Sequence, residues 1–163
     1  MLPTDLTVSA VIEQADRFLM IEQRTAGSVI VTHPGGHIET GEAPEQAVVR
    51  GAMEGTGCEI SVSGLLGVYL WIHPQTRQQF LRIVYRADMV KEDISRQLDS
   101  GFCTVHWYSL ADIRLRSGDL GSPIVLRSVE DYKAGKRQPD ELLAGMMPIQ
   151  QNVAAVMATA RLV

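Results

Sequence analysis

Cysteine is scarce: among 163 residues only Cys58 and Cys103 occur, each inside an apolar, strand-like run. That excludes a disulfide framework or a clustered cysteine metal site, and both read as buried thiols of a reducing compartment. Long apolar runs are missing too, and none approaches membrane-spanning length. The opening Met-Leu-Pro-Thr-Asp-Leu-Thr lacks the charged-then-apolar order of a signal peptide, so the expectation is a soluble, cytoplasmic chain. Lys and Arg number 15 against 19 Asp and Glu, and the two signs are interleaved. No extended basic surface results, and a nucleic-acid polymer is not an expected partner. Internal repeats and low-complexity linkers are absent, and no serine or cysteine stands in a recognisable nucleophile setting.

What is present suits one ordinary domain. The 45% hydrophobic and 21% charged content is enough for a full core. Residues 1–163 are read as a single domain whose tail from about 140 matches no pattern, although its alanine-rich stretch suits a helix. Leu6 to Glu13 and Phe18 to Glu22 are strand-like and flank Gln14-Ala15-Asp16-Arg17, which predicts a β-hairpin. Val29 to Thr32 is another strand, ending at Pro34-Gly35-Gly36, where glycines let the backbone turn and approach a ligand. From Pro44 the pattern turns helical: proline suits the first position, Glu45 complements the dipole and Gly57 suits the C-terminal cap. The helix is expected to end near Thr56. Ile60 to Ile72 and Gln78 to Met89 predict a long antiparallel hairpin across His73 to Arg77. A short strand from Thr104 to Tyr108, a short helix opening at Ser109 and a longer one from Ser122-Pro123 to about Ala134 complete the elements.

Residues 34–58 carry the main chemical signal. Gly36, Glu42, Arg50, Ala52, Glu54, Gly57 and Cys58 fall in register with G-x5-E-x7-R-E-U-x-E-E-x-G-U, where U is aliphatic. The segment therefore resembles the Nudix box of pyrophosphate hydrolases. Gly51 and Gly55 depart from it, standing where the family has glutamates. The resemblance implies an α+β Nudix fold, a mixed β-sheet sandwiched between helices. It also implies metal-assisted attack of water on a nucleoside di- or triphosphate or a small organic pyrophosphate. Its implied cofactor is Mg²⁺ or Mn²⁺, and its implied state is a monomer or homodimer.

On a helix, positions 51, 54 and 55 converge on one face, where three carboxylates would hold a hard cation. Such a metal screens the diphosphate and lowers the pKa of the attacking water. By the resemblance, Glu54 is the remaining metal ligand or base, Arg50 orients the helix acids, and the backbone carbonyl of Gly35 or Gly36 contacts metal. Arg50 and Glu54 are four apart, which permits an ion pair. Each helical glycine costs roughly 1 kcal/mol relative to alanine, about as much as relief of like-charge repulsion returns. By this reckoning stability does not explain the glycines. A further acid of many family members aligns with Gly101, with Asp99 two residues out of register. The pattern is one of selective acid removal, and it makes metal binding weak or absent. A catalytically inactive Nudix-fold module that binds a nucleotide or a protein is the competing reading.

Beyond the box, Val68 to Pro74, Phe80 to Tyr85, Ser122 to Val125 and Tyr132 to Arg137 resemble the NudJ-type phosphatases, with similarity spanning about Leu6 to Pro139. By that analogy Trp71 and Tyr69 stack on a base and Arg82 meets phosphate. The alternative is that Trp71 and Tyr69 are hairpin core and Arg82 a solvated strand residue. His33 is read as a turn hydrogen-bonder and Glu42 as structural. His73 and His106 have no partner suggested by sequence.

Overall fold

The computed structural model describes residues 2–93 and 103–146. Strands β1 (Asp5–Gln14), β2 (Arg17–Thr25), β3 (Ser28–Thr32) and β4 (Gly35–His37) precede helix α1 (Pro44–Thr56). Strands β5 (Cys58–Ile72), β6 (Gln79–Glu92) and β7 (Cys103–Tyr108) follow, then α2 (Leu110–Leu115) and α3 (Pro123–Lys133). A short 3-10 turn spans Asp140–Leu143. The expected tail beyond residue 146, Asp99 and Gly101 lie outside the described residues.

Local chemistry accounts for most element boundaries. Ala15 and Asp16, at φ 52° and 59°, form the two-residue link between β1 and β2, with Gln14 facing Arg17. Two left-handed residues in succession match the twist of the flanking strands. Helix α1 starts with Pro44 in its first turn and Gln46 Oε1 accepting the Ala43 amide at 3.0 Å. It ends at Gly57, whose φ of 71° is the left-handed cap glycine takes readily, with its amide donating to Met53 at 2.8 Å.

The sheet runs β3-β2-β1-β6-β5, with β4 pairing β1 and β7 pairing β2. β5 and β6 form the expected antiparallel hairpin, while β1 and β6 are parallel, with Thr7 opposite Arg82 and Ser9 opposite Val84. Alternation along β1 sends Val8, Ala10 and Ile12 to a core with Ala47, Val48 and Ala52 of α1. Val11 points the other way, into a core with Val125 and Val129 of α3. The period of two in the strand thus buries both faces, and the mixed sheet lies between helices as expected. Near the middle of β1, pairing with β4 gives way to pairing with β2. A cavity of about 480 Å³ opens beside this change of partner, lined by β1, β2, β6, the β3–β4 turn and one face of α1.

Candidate functional site

Arg50 organises the entrance to the cavity. Its Nε donates to Glu42 Oε2 at 2.7 Å and its Nη2 to Glu42 Oε1 at 2.9 Å, a two-pronged contact. Nη2 also donates to the His37 carbonyl at 2.9 Å, and Nη1 reaches Glu54 Oε2 at 3.0 Å. Glu39 stands 3.6 Å away. Arg50's hydrogen bonds are the leading cause of a Glu42 carboxyl held below its usual range. The same contact with Glu42 raises the Arg50 guanidinium further above its own. One guanidinium thereby ties the loop to the helix and holds Glu54, the ion pair that the spacing permits. Glu42 also accepts the Glu39 amide at 3.1 Å, so it braces the loop.

The glycines around this cluster differ in what they allow. A Cβ on Gly35 would stand 2.0 Å from the Val8 carbonyl oxygen, so only glycine lets β4 run this close to β1. A Cβ on Gly51 would stand 2.7 Å from the Gly35 carbonyl oxygen and 2.8 Å from its carbon. Gly51 therefore lets helix α1 sit directly on the Gly35 peptide. Packing thus gives Gly51 a structural reason that helix propensity and charge repulsion alone do not supply. Gly55 is looser, because its added Cβ would meet only the Ile21 Cδ1 at 2.8 Å, the end of a flexible side chain. Gly36 has open space where a Cβ would go.

Inside the cavity, Gly35, Gly36, Gly51, Glu54, Gly55 and Arg82 come together. Arg82 Nε donates to Thr7 Oγ1 at 3.2 Å, and no carboxylate pairs with its guanidinium among the described residues. Burial lowers its pKa. His33 is also buried there. Its Nε2 lies 3.1 Å from the Val125 carbonyl, so that nitrogen carries the proton, and 3.2 Å from Ser128 Oγ. Burial chiefly, with the Arg82 charge, brings His33 down to about 4 against the hydrogen bond to Val125. The expected turn contact is thus replaced by a tie to α3.

Tyr69 and Trp71 do not line this cavity. Tyr69 donates to Asp131 Oδ2 of α3 at 2.7 Å, and Trp71 stacks on Phe80 with centroids 5.4 Å apart. Both pack on the α3-side core; Trp71 also borders a separate groove with His73 and Arg127. Tyr69 is the cross-strand partner of Arg82, but its hydroxyl is turned to Asp131 and neither aromatic lines the cavity. Cys58 is buried, but Cys103 is only half-buried and lines the cavity. His73 Nδ1 accepts the Gln75 and Thr76 amides at 3.2 Å, and His106 Nε2 lies 2.8 Å from Thr104 Oγ1. Thr7 and Ser9 line the cavity as well. Alternation in β1 hinted at their shared face, but the pairing with β6 that sets Arg82 beside Thr7 is non-local.

A divalent cation needs several oxygen ligands, and this donor set does not fit one well. Among the described residues no group of three or more His, Cys, Asp or Glu is arranged to hold a metal ion. Glu54 is engaged by Arg50, and the Gly35 carbonyl oxygen lies 2.7 Å from where a Cβ on Gly51 would stand.

A sheet between two helices, with a glycine turn and an arginine-braced helix on one cavity wall, defines an α+β fold with a loop-helix wall to its cavity. The chain belongs to the Nudix family: the NUDIX domain model matches residues 3–129. It is 28% identical over 138 residues to phosphatase NudJ of Escherichia coli K12, covering 85% of this chain and 89% of that one. The same identity and coverage hold for phosphatase NudJ of Shigella boydii. A Nudix hydrolase from Nitrosomonas europaea superposes with a TM-score of 0.80 at 32% identity, over 92% of this chain and 98% of that one. A MutT Nudix hydrolase from Burkholderia pseudomallei, at 23% identity and a TM-score of 0.61, shares the fold. No helix among the described residues is long and apolar enough to cross a membrane.

Proposed function

We propose that this chain acts on phosphoanhydrides. A nucleoside di- or triphosphate, or a small organic pyrophosphate, seats its phosphates by the Gly35–Gly36 turn and Arg82, and water cleaves it slowly. The observation that carries this reading is the intact Arg50 cluster beside a cavity that holds a guanidinium with no carboxylate partner among the described residues. A half-buried cation with no acidic partner among the described residues favours an anionic occupant. The kinship with proteins named as phosphatases and Nudix hydrolases supports the same class.

Glu54 is the one helix carboxylate lining the cavity, and it is the candidate to receive a proton from the attacking water. Arg50 positions it.

The engagement of Glu54 by Arg50 favours a second reading, a module that binds a nucleotide without cleaving it. Phosphate release from a nucleotide panel with Mg²⁺ and with Mn²⁺, run beside direct binding, separates the two. Slow release above the uncatalysed rate supports the hydrolase, and binding without release supports the module. Neither binding nor release for any nucleotide or pyrophosphate would rule out both.

A further inference from the structure

Two buried polar atoms lining the cavity have no hydrogen-bond partner: Ser9 Oγ, in a residue 2% exposed, and His33 Nδ1, in one 3% exposed. An unmade buried hydrogen bond is costly, so a pair of them on one cavity wall points to a ligand or water that completes them. Arg82 adds charge to the same wall. Thr7 Oγ1 accepts from its Nε and reaches the Leu81 carbonyl at 3.4 Å, which anchors the guanidinium and leaves both Nη groups for something else.

We infer that Arg82 and Ser9, bordered by the His33 acceptor, form a metal-free oxyanion subsite that takes one phosphoryl group of the ligand directly. This rests on the reading of the cavity as a phosphoanhydride site. Arg82 grips the phosphoryl oxygens through its Nη groups, and the Ser9 hydroxyl donates to one of them. His33 Nε2 is committed to the Val125 carbonyl, so Nδ1 is an acceptor for a proton-bearing atom of the ligand or a bound water. The glycines of α1 bear on this too. Carboxylates at positions 51 and 55 would border the same cavity and, without metal, would compete for Arg82 as counter-ions. With Gly51 and Gly55, the charge that neutralises phosphate is carried by arginine.

The test is calorimetric binding of inorganic pyrophosphate and of a nucleoside diphosphate in EDTA, for wild type, Arg82→Gln and Ser9→Ala. Wild type is expected to bind without metal. Arg82→Gln is expected to weaken binding roughly tenfold or more, the usual scale for a charged hydrogen bond. Ser9→Ala is expected to weaken binding a few-fold while leaving Tm equal or higher, because its hydroxyl supports nothing in the free protein; a purely structural serine would lower Tm instead. If Arg82→Gln fails to fold, Ser9→Ala decides. Binding that appears only with Mg²⁺ and is unchanged in these variants overturns the subsite. Metal-free binding with no phosphate release contradicts the hydrolase reading but leaves the subsite standing, and release that needs Mg²⁺ with no binding in EDTA does the reverse.

Discussion

Gly51 and Gly35 meet backbone to backbone: a Cβ on Gly51 would stand 2.7 Å from the Gly35 carbonyl oxygen. The helix that aligns with the family's glutamate-bearing one is seated on the Gly35 peptide, next to the Gly35 or Gly36 carbonyl that the resemblance implies for metal. Glycine at 51 leaves no carboxylate there and is what lets the two backbones meet.

Restoring the two acids is therefore unequal. Gly51→Glu must displace backbone and is expected to cost about 1–3 kcal/mol, the range for overpacking, partly offset by better helix propensity. Gly55→Glu meets only the tip of Ile21 and is expected to be within about 1 kcal/mol of wild type. Urea denaturation of the two single variants checks this, and a Gly51→Glu protein at least as stable as Gly55→Glu would refute it.

Glu22 is a buried acid with a pH signature. Burial raises its pKa, but hydrogen bonds from Arg116, Tyr108 and Arg24 together outweigh that and bring it from 4.5 to about 2. A folded pKa below the unfolded one gives stability that is fully present above about pH 4.5 and is lost as pH falls toward 2. At neutral pH the linked contribution is about 3 kcal/mol. Glu22→Gln should lower Tm at pH 7 and converge with wild type near pH 2, as followed by thermal melts. A constant gap across that range would contradict the linkage.

His33 works in the same direction through the opposite charge. Burial brings it from 6.5 to about 4, so below pH 6.5 the unfolded chain binds a proton that the folded one refuses. Stability is full above that value and declines by up to about 3 kcal/mol as pH falls to 4. His33→Gln should flatten this part of the Tm–pH curve. An unchanged slope between pH 6.5 and 4 would mean that His33 is not buried neutral.

Tyr69 separates structure from recognition. Tyr69→Phe removes the hydroxyl that donates to Asp131 and is expected to cost about 1–3 kcal/mol, since a mostly buried carboxylate loses a partner. Nucleotide binding should change less than twofold. A large loss of affinity without loss of stability would restore the base-stacking role that the resemblance suggested.

Local signals were legible in the sequence and non-local ones were not. Pro44 and Gly57 announce both ends of α1, and the spacing of Arg50 and Glu54 announces their ion pair. The long β5–β6 hairpin shows in its two strand runs and the proline turn between them. By contrast, β1 pairs in parallel with β6 about 75 positions away, and no residue near Thr7 or Ser9 advertises Arg82 as a neighbour. His33 looked like a turn residue because its partner Val125 lies 92 positions on. The carboxylate deficit at Gly51 and Gly55 was readable; the contact between Gly51 and Gly35 needed three dimensions.

The most direct test of carboxylate loss as the limit on this site is phosphate release from a nucleoside triphosphate at saturating Mg²⁺, comparing wild type with Gly55→Glu. The expected result is slow wild-type turnover, well under the roughly 10 s⁻¹ of a median enzyme, and a gain of at least about tenfold in the variant. Ordinary wild-type turnover with no gain in Gly55→Glu would contradict it.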